Sequence, residues 1–295
     1  MHVPVLLKET LQLLSPRSGE NFVDATIGGG GHSLAILEKT KPDGKVLGID
    51  WWKEAIERME KIKKRYPELK ERLILVCDNF SNIDDIVKRF NFGPVNGILF
   101  DLGLSSDLLE QSGRGFSFRR KEPLDMRYNR KSEILASDIL NEKTEKELAD
   151  IFKTFGQEKF SKRIAKAIVD IRQKSSFQTT DQLVEAVRIS LSGRKERGWV
   201  NPKILARVFQ ALRIFTNKEL ENLEKGLDSS LNILSKGGRI AVISYHSLED
   251  RIVKNKFKEA KNLKILTKKP IQPTEKEIEI NPRSRSAKLR AAIKN

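Results

Sequence analysis

Strand-length apolar runs recur through the first hundred residues, at 22–25, 45–50, 73–77 and 95–101. Between them the apolar positions return at helical spacing, from His32, over about 52–65 and from Ser81. This alternation predicts a parallel sheet with right-handed crossovers. Ahead of it, Leu7, Leu11 and Leu14 give one apolar face to a short N-terminal helix, read as a lid or a packing segment.

After Asp101 the rhythm stops, and from about 133 to 215 only helical periodicity remains. Leu148, Ile151, Phe152 and Phe155 form one inward stripe, and Phe160, Ile164, Ile168 and Ile171 a second. Thr179 with Gln182 reads as a capping box for a helix carrying Leu183, Val184 and Val187, and Asn201 before Pro202 starts another. A capping box at Thr216 and Glu219 then opens a helix whose Leu220, Leu223, Leu227 and Leu234 face inward and which Gly237-Gly238 ends. A strand at 239–246 follows, then a helix from Leu248 to Lys258 capped by Ser247. Leu263 to Lys268 and Ala287 to Ile293 make a closing edge hairpin. The expected architecture is a discontinuous α/β domain, 1–112 and 214–295, interrupted by an all-α domain at 113–213.

The chemistry concentrates where strands end. Asp24, Asp50, Asp78 and Asp101 each close a strand, which brings four carboxylates to the edge where open α/β sheets bind ligands. Gly28-Gly29-Gly30-Gly31 follows the first strand and opens a helix; glycine permits positive φ and close backbone approach, and the helix start offers free N–H groups. Asp50, about twenty residues on, is placed to accept from ribose hydroxyls. Four consecutive glycines do not give the G-x-G-x-x-G spacing, which disfavours a nicotinamide site. Tyr245 and His246 reach the same edge. In Gly113 to Lys121, basic residues alternate with Phe116 and Phe118, a pattern suited to phosphates and stacked bases, or to a basic loop whose phenylalanines turn into the core.

Composition narrows the partner. The chain has 295 residues, 38% of them hydrophobic, and a formal charge of +16. Such an excess attracts polyanions, with membrane surfaces, acidic proteins and a heat-adapted surface as other readings. Arg163, Lys166, Arg194, Lys195 and Arg197 make part of the helical domain basic. The single cysteine, Cys77, excludes an intrachain disulfide and reads as a buried strand residue; with three histidines in all, no metal site is expected. No run approaches a membrane span, so a cytoplasmic protein with no membrane partner is expected.

Eight motifs, in order, resemble the bacterial small-subunit ribosomal RNA (cytosine-N4)-methyltransferases of the RsmH (MraW) type. They are His2 to Leu7, Asp24 to Ser33, Asp101 to Ser106, Arg114 to Phe118, Pro123 to Arg127, Phe209 to Ile214, Ser244 to Arg251 and Asn281 to Ser286. The resemblance implies a class I, Rossmann-like methyltransferase fold with an inserted helical domain for RNA recognition. It implies S-adenosyl-L-methionine as cofactor, and as substrate a cytidine at the decoding centre, in free small-subunit ribosomal RNA or the assembled subunit. The cofactor contacts it implies are Gly30, Gly31, His32, Asp50, Phe80 and Asp101. Leu108 departs from the family, where a glutamine is common. Asp101 is the expected catalytic residue, it or a nearby backbone carbonyl accepting the amine hydrogens, with Phe116, Phe118, Tyr245 or His246 stacking on an extruded base. A DNA cytosine-N4 methyltransferase would carry D/S-P-P-Y/F after the fourth strand, and Asp101-Leu102-Gly103-Leu104 does not match it. A non-catalytic RNA-binding assembly factor on the same fold is the alternative.

Overall fold

A computed structural model describes residues 4–192 and 201–295. In chain order the elements begin α1 (Leu7–Leu14), β1 (Phe22–Asp24), α2 (Gly31–Lys39), β2 (Val46–Asp50), α3 (Lys53–Arg65), β3 (Leu73–Cys77), α4 (Ile83–Arg89) and β4 (Val95–Asp101). Helices follow: α5 (Ser106–Gln111), α6 (Ala136–Glu142), α7 (Glu145–Thr154), α8 (Ser161–Arg172), α9 (Thr180–Ser192), α10 (Pro202–Asn217) and α11 (Glu219–Ile233). The chain ends with β5 (Leu234–Ser244), α12 (Ser247–Glu259), β6 (Leu263–Ile265), α13 (Glu275–Ile280) and β7 (Lys288–Lys294). Contacts divide it into two compact units, 1–103 with 220–295, and 104–219. Arg194, Lys195, Arg197 and His2 lie outside the described residues.

The first unit holds one seven-stranded sheet in the order β3-β2-β1-β4-β5-β7-β6. Strands β1 to β5 run parallel, and β7 is antiparallel to both β5 and β6, the closing pair expected of a class I methyltransferase. Because the order reverses between β1 and β4, their crossovers leave on opposite faces, and the crevice at this switch point is where such sheets bind ligands. Two apolar layers bury the sheet. Ile36 and Leu37 of α2 and Met59 of α3 pack on one face, and Ile86 of α4, Leu227 of α11 and Val253 of α12 on the other. Each central strand is therefore a near-continuous apolar run, as a strand covered on both faces requires.

The second unit is helical. Thr144 and Glu147 close a capping box at α7, Asn201 accepts from the Lys203 N–H at the start of α10, and Gln182 accepts from the Thr179 N–H before α9. Arg114 is buried, with its guanidinium donating to the carbonyls of Arg127 and Tyr128. Phe116 is stacked on Tyr128 at 5.6 Å, and Phe118 meets Phe209 edge-on at 5.7 Å. The phenylalanines of the 113–121 segment thus pack within their own unit.

Several expectations are corrected. Thr216 does not start a helix; it lies inside α10, which runs to Asn217 and ends on Lys218 at φ 50°, while Glu219 takes the Arg213 guanidinium in a two-pronged pair. Leu234 opens β5 rather than closing the preceding helix, and Gly237, at φ 77°, lies in an irregularity of that strand opposite Val95–Gly97. The cap of α12 is His246 and not Ser247. Phe160 caps α8 and is exposed, because it precedes the first turn. Cys77 is exposed, being the last residue of the edge strand β3, with no neighbouring strand on one side.

Candidate active site

The site grows from the turn after β1. Asp24 ends that strand fully buried, and its Oδ2 accepts from the Ser33 hydroxyl at 2.6 Å while Oδ1 accepts from the Thr26 N–H at 3.2 Å. These bonds tie the strand end to α2 across the glycine turn. Burial pushes the Asp24 carboxyl up to about 7; the Ser33 and Thr26 bonds oppose the rise, and the charges of Asp101 and Asp50 add to it. Asp24 is the foundation of the turn rather than a displayed ligand group.

Two of the glycines answer specific steric demands. Gly30 sits at φ 77°, and a Cβ there would lie 2.4 Å from the buried Met59 Cε. A Cβ on Gly31 would lie 2.3 Å from Pro4 Cγ, so the N-terminal arm lies against the first turn of α2. At the end of β2, Asp50 Oδ2 accepts from the Gly28 N–H at 2.9 Å and Oδ1 from the Trp52 N–H at 2.8 Å. Burial lifts this carboxyl to about 6, against the lowering effect of those two bonds and of Arg58.

Asp101 lies on β4, across the switch point from Asp24. Its N–H donates to Thr26 Oγ1 at 2.6 Å. Its Oδ1 accepts from the Tyr245 hydroxyl at 2.9 Å and from the Gly103 N–H at 3.3 Å, and its Oδ2 stands 3.7 Å from His32 Nε2. The structure therefore brings Gly30, Gly31, His32, Asp50 and Asp101 to one end of the sheet. Phe80, in a short turn of 3-10 helix after β3, sits half-buried, edge-on to Phe100 at 5.5 Å and against Gly226. Leu108 is buried.

Asp78 does not join this group. It follows β3, and its Oδ1 accepts from the Asn79 N–H and the Asn82 amide, which turns it toward α4. His246 Nδ1 accepts from the Glu249 N–H and its Nε2 meets Glu249 at 3.1 Å, so its ring serves as the cap of α12. Thr26, Ser33 and the hydroxyl of Tyr245 are working parts the sequence reasoning did not assign. A hydroxyl two residues beyond a strand-ending acid was the available signal for Thr26; the others depend on contacts between distant segments.

The MraW methylase family model matches residues 1–295. The chain is 46% identical to the ribosomal RNA small subunit methyltransferase H of Persephonella marina, over 99% of this chain and 98% of that protein. It is 44% identical to the protein of the same name from Clostridium botulinum (strain Loch Maree / Type A3), again over 99% and 98%. Among solved structures, a SAM-dependent O-methyltransferase from Thermotoga maritima overlays with a TM-score of 0.45 at 10% identity, covering 100% of this chain and 66% of that one. With a family model spanning it end to end and relatives this similar over their full length, the chain, on its class I methyltransferase fold, belongs to the MraW methylase family.

Proposed function

We propose that the protein transfers a methyl group from S-adenosyl-L-methionine to the N4 amine of a cytidine at the decoding centre of small-subunit (16S) ribosomal RNA, in the cytoplasm. The observation that carries this reading is the gathering of Asp24, Asp50, Asp101 and the glycine turn at the switch point of the sheet, beside His32. Asp50 and Asp101, on the strand ends either side of the buried Asp24, favour a ligand that carries positive charge, as a sulfonium with an α-amino group does. The residues present fit that group. Gly30, Gly31 and His32 would hold its methionine part, Asp50 the ribose hydroxyls through lone pairs its backbone partners leave open, and Phe80 the adenine through its exposed side. When bound, the cofactor supplies an electrophilic methyl carbon bonded to a sulfur leaving group.

A cytosine amine is a weak nucleophile because its lone pair is delocalised into the ring. What this chain must do is align that amine and accept its hydrogens, so that electron density stays on nitrogen. Asp101 suits the task, with a carboxylate whose Oδ1 is already engaged and whose Oδ2 is turned toward the glycine turn. The helical segment 113–213, with Lys162, Arg163 and Lys166 exposed on α8, would meet the RNA backbone. Small subunits lacking the modification, and naked 16S RNA beside them, are incubated with labelled S-adenosyl-L-methionine and the methylated base is mapped. Label on N4 of one cytidine is the expected result. Tight RNA binding with no transfer in either substrate would establish the non-catalytic alternative.

A further inference from the structure

We propose that Tyr245 is a positioning residue for methyl transfer: its hydroxyl fixes the Asp101 carboxylate so that Oδ2 is the oxygen presented to the substrate amine. The inference rests on the reading of Asp101 as acceptor of the amine hydrogens. It is carried by an asymmetry in the hydrogen bonding of that carboxylate. Oδ1 receives both the Tyr245 hydroxyl, at 2.9 Å, and the Gly103 N–H, at 3.3 Å, whereas Oδ2 stands toward His32 Nε2 at 3.7 Å. A carboxylate free to rotate exchanges its oxygens; one held at Oδ1 by a charge-assisted bond does not.

Tyr245 is itself held on three sides. Its N–H donates to Oε2 of the buried Glu249 at 2.8 Å, which ties it to the first turn of α12. Its ring lies on Gly103, where a Cβ would come within 2.7 Å of Cε2 and Cζ and 2.9 Å of the hydroxyl oxygen. The ring occupies the space a side chain at 103 would need, which gives a physical reason for glycine in a strand-end loop where φ does not demand it. Burial and the nearby Asp101 and Glu249 carboxylates hold the phenol well above its ordinary titration range, so it remains a donor at any working pH. A base-stacking role for this ring is therefore replaced by an orienting role for its hydroxyl.

The test compares Tyr245→Phe, Gly103→Ala and Asp101→Asn in steady-state transfer to unmodified small subunits, with cofactor affinity and thermal midpoint measured on each. Loss of one hydrogen bond to a charged group predicts that Tyr245→Phe lowers kcat about tenfold or more, with cofactor Kd and KM for the subunit within about twofold. Gly103→Ala keeps the hydroxyl but displaces the ring, and should lower kcat similarly. Combined with Tyr245→Phe it should cost little more than either alone, since both remove the same contact. Unchanged kcat in Tyr245→Phe while Asp101→Asn is inactive would overturn the orienting role alone. Near-normal turnover in Asp101→Asn would overturn the acceptor reading and this inference with it. A loss in Tyr245→Phe confined to Kd or to the melting midpoint would reduce Tyr245 to a structural contact.

Discussion

Replacing Asp24 by Asn should make the sheet unit more stable with rising pH relative to the native protein. In the fold the Asp24 carboxyl titrates near 7, and in the unfolded chain near its ordinary 3.8. Between those values the unfolded chain has lost the proton and the folded one keeps it. The folded state then binds more protons, and stability falls as pH increases. Stability linked to this group is fully present below about pH 4 and is lost progressively up to about pH 7. A shift of about 3 units at about 1.4 kcal/mol per unit sets the loss at roughly 4 kcal/mol. Asparagine keeps the geometry, since its carbonyl accepts from the Thr26 N–H and its amide donates to the Ser33 oxygen, but it has no proton to lose. Urea unfolding followed by tryptophan emission suits the measurement in a Trp199→Phe background, which leaves Trp51 and Trp52, both of the same unit. The difference in unfolding free energy, variant minus native, should grow by a few kcal/mol from about pH 4 to about pH 7.5. Parallel curves for the two proteins, or a native protein that gains on the variant as pH rises, would refute the buried-carboxyl argument.

Three further outcomes follow from the same contacts. Gly30→Ala places a Cβ against Met59 at positive φ, which should destabilise the unit by about 1–3 kcal/mol and weaken cofactor binding. Gly29→Ala, with nothing within 4 Å and no positive φ, should stay near the native value in denaturation and calorimetry. Asp50→Ala strips the acceptor from the Gly28 and Trp52 N–H groups, and should raise cofactor Kd about tenfold or more by calorimetry while transfer at saturating cofactor changes much less. Among the described residues, Arg207→Met leaves the buried Glu158 carboxylate with the Phe160 N–H as its hydrogen-bond donor. The 38% exposure of the Arg207 side chain holds the expected loss to about 2 kcal/mol, read as a lower melting midpoint.

The parallel strands are legible because each is a largely apolar run, and the first four end at or just before an acid. The same rule puts Asp24, Asp50, Asp78 and Asp101 at one edge, and of these the structure turns Asp78 away toward α4. Where local pattern and distant contact disagreed, contact won. The spacing of Thr216 and Glu219 has the form of a capping box, yet the Asn217 amide donates to the Met126 carbonyl, its Oδ1 accepts from the Tyr128 N–H, and Glu219 is taken by Arg213. Those bonds reach back across some ninety residues, and they place the helix break at Lys218. Leu234 shows the same limit. Its helical spacing is real, but pairing with Val95 and the Lys294 ammonium on its carbonyl draw it into β5.

At the site this division separates the groups proposed to face a ligand from the groups that hold them. Strand ends and a glycine turn are local features, so the glycines, Asp50 and Asp101 stand out in one sequence, and the family resemblance adds His32. Their supports lie on other strands: Thr26 after β1 receives the Asp101 N–H, and Tyr245 after β5 donates to its carboxylate. Because β1 and β5 flank β4 on its two sides, Asp101 is gripped from both neighbours at once, by its backbone on one side and its carboxylate on the other. On the proposed acceptor reading, a carboxylate fixed in this way loses little further freedom when it meets an amine, so its ordering is completed during folding rather than at the moment of reaction.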